Sequence, residues 1–271
     1  MTHSEEQLDA FAEWERQAWE TRAAPYATRL TGLTSGAADA LLDAAGVGTG
    51  TRVLDVGTGP GVVATVARNR GAEVTAVDQS AAMVDLARAA GLDARQAGAE
   101  ALPFGDGGFD AVLAGFLLNH LPRPAAVVAE LARVCRHRVA LSVWDVADAN
   151  PALGLFGPVV QSLGLPDVVP PGPENDRFAD EARFVALLDA AGLRDVEVSR
   201  VGWTITVDPG TWFDHVADGT PRTGAVLAAA STERRAELKA RYLEVATASF
   251  GGPDGLVTLP AAAVVGSGRP G

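Results

Sequence analysis

Asp55, Gly57, Gly59 and Gly61 fall within nine residues, VLDVGTGPG (53–61), and their spacing describes a ligand-binding hinge. Glycine reaches backbone angles closed to other residues and lets a ligand lie against the main chain. Pro60 stiffens the turn, and a helix starting just beyond offers unpaired N–H donors. Asp78 ends the run EVTAVD about twenty residues after the glycines, where an acid can accept both hydroxyls of a ribose. Hinge and acid together indicate a nucleoside-bearing ligand. A dinucleotide fingerprint, G-x-G-x-x-G, would place its third glycine at position 62, which is Val62. Asp78 suits either class of nucleoside cofactor and does not choose between them. His120, in LLNHLPRP, is the candidate proton acceptor, since an imidazole titrates near neutrality. A structural histidine tying its loop to the next helix fits the same position.

These groups need strand ends to hold them. From Arg52 onward strand and helix signals alternate: RVLDV, then GVVATVARNRG; EVTAVD, then SAAMVDLARAAG with Ser80 as N-cap; DARQAG and FDAVLAGF; then AAVVAELARVCR and RVALSVWDV. Apolar strands alternating with helices predict an α/β fold, a Rossmann-like doubly wound, mostly parallel sheet of about seven strands with helices on both faces. Residues 5–30 and Ala37–Ala45 read as helices. Beyond Asn150, PALGLFGPVVQSLG reads as one helix and LPDVVPPGPEND as a proline-rich loop. The helix FVALLDAAG and strand VEVSRVGWTITV resume the alternation, and a last strand lies around 255–268. We expect a single domain over 1–271: an N-terminal helical lid (1–46), a cofactor-binding core (50–150), and cap insertions at 151–177 and 209–248.

Composition narrows the classes. The chain has 271 residues, 48% hydrophobic, with a formal net charge of −12. The acidic balance opposes general phosphate-backbone binding. The one basic run, RVCRHR (133–138), is expected at a helix end, where cations complement the dipole. No apolar run approaches the roughly 20 residues of a membrane span, and the acidic N-terminus is not expected to be a signal peptide. The lone Cys135, expected on an apolar helix face, suits a reducing cytoplasm, the expected compartment. The four histidines are scattered and no C-x-x-C or H-x-x-x-H appears, so no metal site is expected. His3, His137 and His215 look incidental.

Four stretches in order, RVLDVGTGPG, AVDQSAAMVDLARA, AGAEALPFGDGGFDAVLAGFLLNHLPRP and ELARVCRHRVALSVWD, make the chain resemble the class I S-adenosylmethionine-dependent methyltransferases. The resemblance is to the small-molecule branch typified by ubiquinone and menaquinone biosynthesis enzymes, and it covers roughly residues 10–150 well. It implies S-adenosylmethionine as cofactor. By the same resemblance Asp55 organises the first loop, and Gly57, Thr58 and Gly59 pass beneath the methionine part. Asp78 takes the ribose hydroxyls with Gln79 and Met83 beside the adenosine, although Met83 also suits ordinary helix packing. Ala99 and Glu100 flank the adenine, and Ala114, Gly115 and Phe116 border the sulfonium. Tyr26 is expected on the cofactor side. The family usually carries aspartate where this chain has Gly98, a loss of one adenine hydrogen bond on the order of 1 kcal/mol.

Trp14, Trp19, Asn119, Trp144 and Phe156 are the candidates for an apolar acceptor pocket, with plain helix-to-sheet packing as the competing role for the aromatics. Neither G-x-S-x-G nor the N/D-P-P-Y/F sequence of many amino methyltransferases occurs. The expected activity is therefore methyl transfer to a small, apolar, secondary-metabolite or quinone-like acceptor at oxygen, nitrogen or carbon. No nucleic-acid partner is expected, and a homodimer is admitted. Two alternatives stand beside it: a cyclisation or rearrangement using the same cofactor, and an NAD(P)-dependent oxidoreductase.

Overall fold

The structure, a computed structural model, describes residues 3–165, 168–174 and 177–271. Pro166, Asp167, Asn175 and Asp176, within the expected proline-rich loop and first cap insertion, lie outside the described residues.

Three N-terminal helices come first: α1 (Glu5–Arg29), α2 (Thr31–Thr34) and α3 (Ala38–Ala44). Ser4 and Gln7 form a reciprocal capping box that starts α1. The alternating core is β1 (Arg52–Val56), α4 (Val62–Asn69), β2 (Glu73–Asp78), α5 (Ala81–Ala89), β3 (Asp93–Gln96), β4 (Phe109–Gly115), α6 (Pro124–Val134) and β5 (Cys135–Trp144). Then follow α7 (Pro151–Gly154), α8 (Phe156–Ser162), α9 (Glu181–Ala190), β6 (Leu193–Val207), α10 (Pro209–Gly219), α11 (Pro221–Ala229), α12 (Thr232–Phe250) and β7 (Val257–Pro270).

Among the described residues the strands form one seven-stranded sheet in the order β3-β2-β1-β4-β5-β7-β6. The five strands from β3 to β5 are parallel, and β7 is antiparallel to both β5 and β6. The order reverses between β1 and β4, so a crevice opens there beyond the carboxyl ends. Asp55 pairs across the sheet with Ala76 and Leu113, and Gly115 with Ser142. Register alone thus brings Asp55, Asp78, Gly115 and Trp144 to one edge.

One sheet face is packed by Leu54, Val112, Leu141 and Val143 against Val127, Leu131, Phe184 and Leu188 of α6 and α9. The opposite face buries Val53, Leu113 and Val265 with Leu41 and Leu42 of α3. A further apolar cluster unites Phe156, Trp212, Phe213, Leu227 and Tyr242 of the later helices with Leu30 and Leu33 and with Leu259 of β7. This cluster forms a roof over the crevice.

Three local expectations are corrected. The run 133–138 is a helix end only at its start: Arg133 lies in the last turn of α6, which stops at Val134, and Cys135 already begins β5. Cys135 therefore lies in a strand, its thiol 3.8 Å from the Asp110 carbonyl and pushed up to about 11 by burial. The segment read as one helix from Pro151 is two, α7 and α8, separated at Leu155.

Candidate functional site

Asp55 is buried at the end of β1, where it accepts from the Thr58 hydroxyl at 2.7 Å and the Ala64 amide at 3.1 Å. Those bonds tie the glycine turn to the first turn of α4. Burial nevertheless pushes the Asp55 carboxyl up to about 6, outweighing both hydrogen bonds. Gly57 and Gly59 both adopt positive φ. A Cβ on Gly57 would approach Leu117 Cδ1 to 2.8 Å, so the turn accepts no side chain there without displacement.

Asp78 holds the other side of the crevice. One carboxylate oxygen accepts from the Gly59 amide at 2.8 Å, the other from the Ser80 amide at 2.9 Å. Burial raises its carboxyl above the ordinary range, with these amides opposing the shift. Each oxygen retains room for a second donor, as a ribose diol would require.

At the end of β4, Phe116 has φ of 57°, a conformation a bulky residue seldom adopts. Its amide donates to the carbonyl of Ser142 at 2.9 Å and lies 3.2 Å from the Ser142 hydroxyl. The turn directs the Phe116 ring against Trp144, with centroids 3.9 Å apart and planes at 20°. His120 follows in a single helical turn, Leu118–His120.

These groups surround a cavity of about 410 Å³. Its walls include Tyr26, Gly57, Gly59, Asp78, Gln79, Met83, Ala99, Glu100, Gly115, Phe116, His120, Trp19 and Trp144. Asp55 and Thr58 border a smaller adjoining space of about 40 Å³ that shares Tyr26, Gly57, Gly59 and Phe116 with the first. Most of the candidates are thus brought together. Four border neither space. Ala114 is wholly buried within the sheet's core, and Asn119 is buried. Trp14 lies beside Phe11, with ring centroids 6.2 Å apart. Phe156 packs 4.6 Å from Tyr242 and 5.5 Å from Phe213 inside the roof.

Several wall residues were not foreseen. Leu30, Leu33 and Thr34 come from the N-terminal segment, and Thr220, Pro221, Arg222 and Thr223 from the start of α11. Behind His120 stands Glu15, only 1% exposed, with Oε2 3.1 Å from His120 Nδ1 and Oε1 3.8 Å from Arg222 Nε. Glu15 occupies the inward stripe of α1 with Phe11, Trp19 and Ala23, and a charge on that stripe was the available signal. Nothing in the sequence marked Arg222.

A profile described as a methyltransferase domain matches residues 54–143, the part of the chain containing these turns. The chain is 30% identical over 233 residues to an uncharacterised protein of Mycobacterium tuberculosis, Rv1405c, covering 75% of this chain and 79% of that one. It is also 33% identical over 152 residues to a ubiquinone biosynthesis O-methyltransferase of Hahella chejuensis, covering 53% and 63%. The chain belongs to the class I S-adenosylmethionine-dependent methyltransferases. It spans about three fifths of the length of the first curated relatives it matches. The crystal structure of a putative methyltransferase of Bacillus halodurans has the same fold, with TM-score 0.54 and 22% identity over 86% of this chain and 99% of that one.

S-adenosylmethionine is the cofactor of this family, and the residues present fit it. The positive-φ glycines leave a bare backbone cradle, and the Asp78 oxygens each keep accepting capacity. The space beside Gly98 is open, with nothing within 4 Å of where its Cβ would stand. No carboxylate replaces the family's aspartate at that position, while Glu100 lies on the same wall. Among the described residues no group of three His, Cys, Asp or Glu side chains is placed to share a metal ion, and no helix is long and apolar enough to cross a membrane.

Proposed function

We propose that this protein transfers a methyl group from S-adenosylmethionine to a small, apolar, aromatic or quinone-like acceptor. The observation that carries the reading is one cavity lined by two chemically distinct sets of groups. Its wall carries the bare glycines Gly57 and Gly59 with the Asp78 carboxylate, and also the apolar rings Trp19, Phe116 and Trp144 with the His120 imidazole.

In this reading Gly57 and Gly59 support the amino-acid portion of the cofactor, Asp78 the ribose, and Gln79, Met83, Ala99 and Glu100 the adenosine. When bound, S-adenosylmethionine supplies an electrophilic methyl group on a positively charged sulfur. The protein's own work is to orient the acceptor, exclude water and receive any proton the acceptor loses. Phe116 and Trp144 form a flat stacked wall suited to an aromatic acceptor, and Trp19 lines the same cavity with its ring edge-on to His120. His120, on the cavity wall beside Trp19, is the proton acceptor. Residues 1–46 act as the lid and residues 209–248 as the larger cap of one functional domain over 1–271.

The test incubates the protein with methyl-labelled S-adenosylmethionine and either a small-molecule extract with a catechol panel, or tRNA and denatured protein. Label in a small molecule is the expected result. Label only in the macromolecular tube would defeat the small-molecule reading. Cofactor binding with products of unchanged mass and no label would favour a cyclisation or rearrangement instead.

A further inference from the structure

A carboxylate in an apolar wall is costly unless a specific partner holds it. Glu15 is such a group. Helix formation does not require it, and the rest of its stripe, Phe11, Trp19 and Ala23, is apolar. Its Oε2 lies 3.1 Å from His120 Nδ1, and its Oε1 lies 3.8 Å from Arg222 Nε.

We propose that Glu15 is the positioning residue for His120, holding the ring with Nε2 bare toward the cavity, and that the pair serves an acceptor bearing a phenolic or enolic hydroxyl. This rests on the methyl-transfer reading of the same cavity. An ionised carboxyl only accepts hydrogen bonds, so the proton between the two groups belongs to Nδ1. A neutral imidazole protonated at Nδ1 has its lone pair at Nε2. The Trp19 ring stands edge-on to the imidazole, centroids 5.0 Å apart at 89°, and restricts its rotation. The arrangement follows the logic of base and orienting acid, with the acid supplied by the N-terminal helix.

Proton accounting selects the acceptor. A hydroxyl gives its proton to Nε2 as its oxygen bonds to the methyl group, and the cofactor sulfur keeps the electron pair of the broken bond. The resulting imidazolium then faces Glu15, which balances its charge. A thioether acceptor has no proton to surrender and would leave the pair without work.

The experiment labels the four histidines with ¹⁵N and reads ring tautomers by long-range ¹H–¹⁵N correlation without cofactor, assigning His120 by its loss in His120→Gln. The neutral His120 ring should be protonated at Nδ1. Glu15→Leu, similar in bulk, should shift it to protonation at Nε2, leave S-adenosylmethionine affinity unchanged, and slow catechol methylation about 100-fold. An unchanged tautomer in folded Glu15→Leu overturns the proposal.

Should that variant not fold, Glu15→Gln decides. Its amide oxygen still accepts from Nδ1, so the Nδ1 tautomer should persist, while catechol methylation slows because the imidazolium loses its counter-charge. Glu15 faces the ring from α1, while Arg222 of α11 and Arg177, which donates to the Leu121 carbonyl, are present in both proteins. Methylation at the parent rate, or loss of the Nδ1 tautomer, therefore overturns the assignment. A tautomer switch without label in any hydroxyl compound sinks the acceptor class and the methyl-transfer reading, while the Glu15–His120 pairing stands.

Discussion

The floor and the roof of the cavity are built by different means. The floor consists of four strand ends and their turns, and its polar groups are satisfied over short distances. Asp55 bonds to Thr58 and Ala64, and Asp78 to Gly59 and Ser80. The roof reaches across the chain. Glu20 of α1 accepts from the Ser80 hydroxyl at 2.6 Å, and Arg22 donates to the Asp218 carbonyl at 2.8 Å. Arg123 pairs with Glu5 and Asp9 at the opening of α1. The exposed Arg123 ion pairs contribute little each; the roof's cohesion comes from its aromatic cluster. A floor of local bonds can bind one cofactor unchanged while the roof above it is altered for different acceptors.

The contrast can be broken most forcefully at Gly59. Gly59→Leu places a side chain on a φ of 56°, with Met83 Sδ and Tyr26 Cε1 each 3.9 Å from its Cβ. It should weaken S-adenosylmethionine binding by roughly 100-fold or more by calorimetry, since the bulk fills the ligand's approach, while backbone strain costs only about 1–3 kcal/mol of stability. Undiminished affinity would mean the glycine turn is not the cofactor floor.

Phe156→Ala asks the same of the roof. Removing this wholly packed ring should cost about 3–5 kcal/mol in denaturant unfolding. Because the ring faces Phe213 and Tyr242 and not the cavity, cofactor affinity in the folded fraction should hold. A large loss of affinity with little loss of stability would place Phe156 at the site instead.

Asp55 separates the two regions by pH. Its carboxyl titrates near 6 when folded, against an ordinary value near 4, so the folded state holds the extra proton between those limits. Stability should therefore fall as pH rises across that window, by about 3 kcal/mol in all. Asp55→Asn should lose this component, visible as a changing difference between variant and parent from pH 4 to 6. A constant difference would show that burial does not disfavour the charge.

The smallest effect is expected at Gly98. Gly98→Asp enters open space and restores the family's carboxylate, so S-adenosylmethionine should bind tighter by about 1 kcal/mol. No gain would mean that the adenine lies elsewhere on that wall.

Much of the floor was legible beforehand, because strand, glycine turn and helix succeed one another in VLDVGTGPG and each obeys local rules. The end of α6 was not. Cations at 133–138 suit a helix terminus, yet pairing of Cys135 with Phe109 and Arg138 with Ala111 draws those residues into the sheet. Aromatic type likewise could not sort the roof. Trp19 reaches the cavity while Trp14, on a neighbouring face of α1, lies beside Phe11, and Phe156 is taken by the roof's own core.

The amino-acid sequence by itself determined the alternation of strands and helices, the bare turn after β1 and the acid closing β2. Each follows from periodicity or backbone freedom within about twenty residues. Only the tertiary structure decided that Glu15 meets His120 across 105 positions and that Arg222 arrives beside them. Those meetings depend on how α1 and α11 pack over the sheet, and packing between distant segments leaves no local pattern to read.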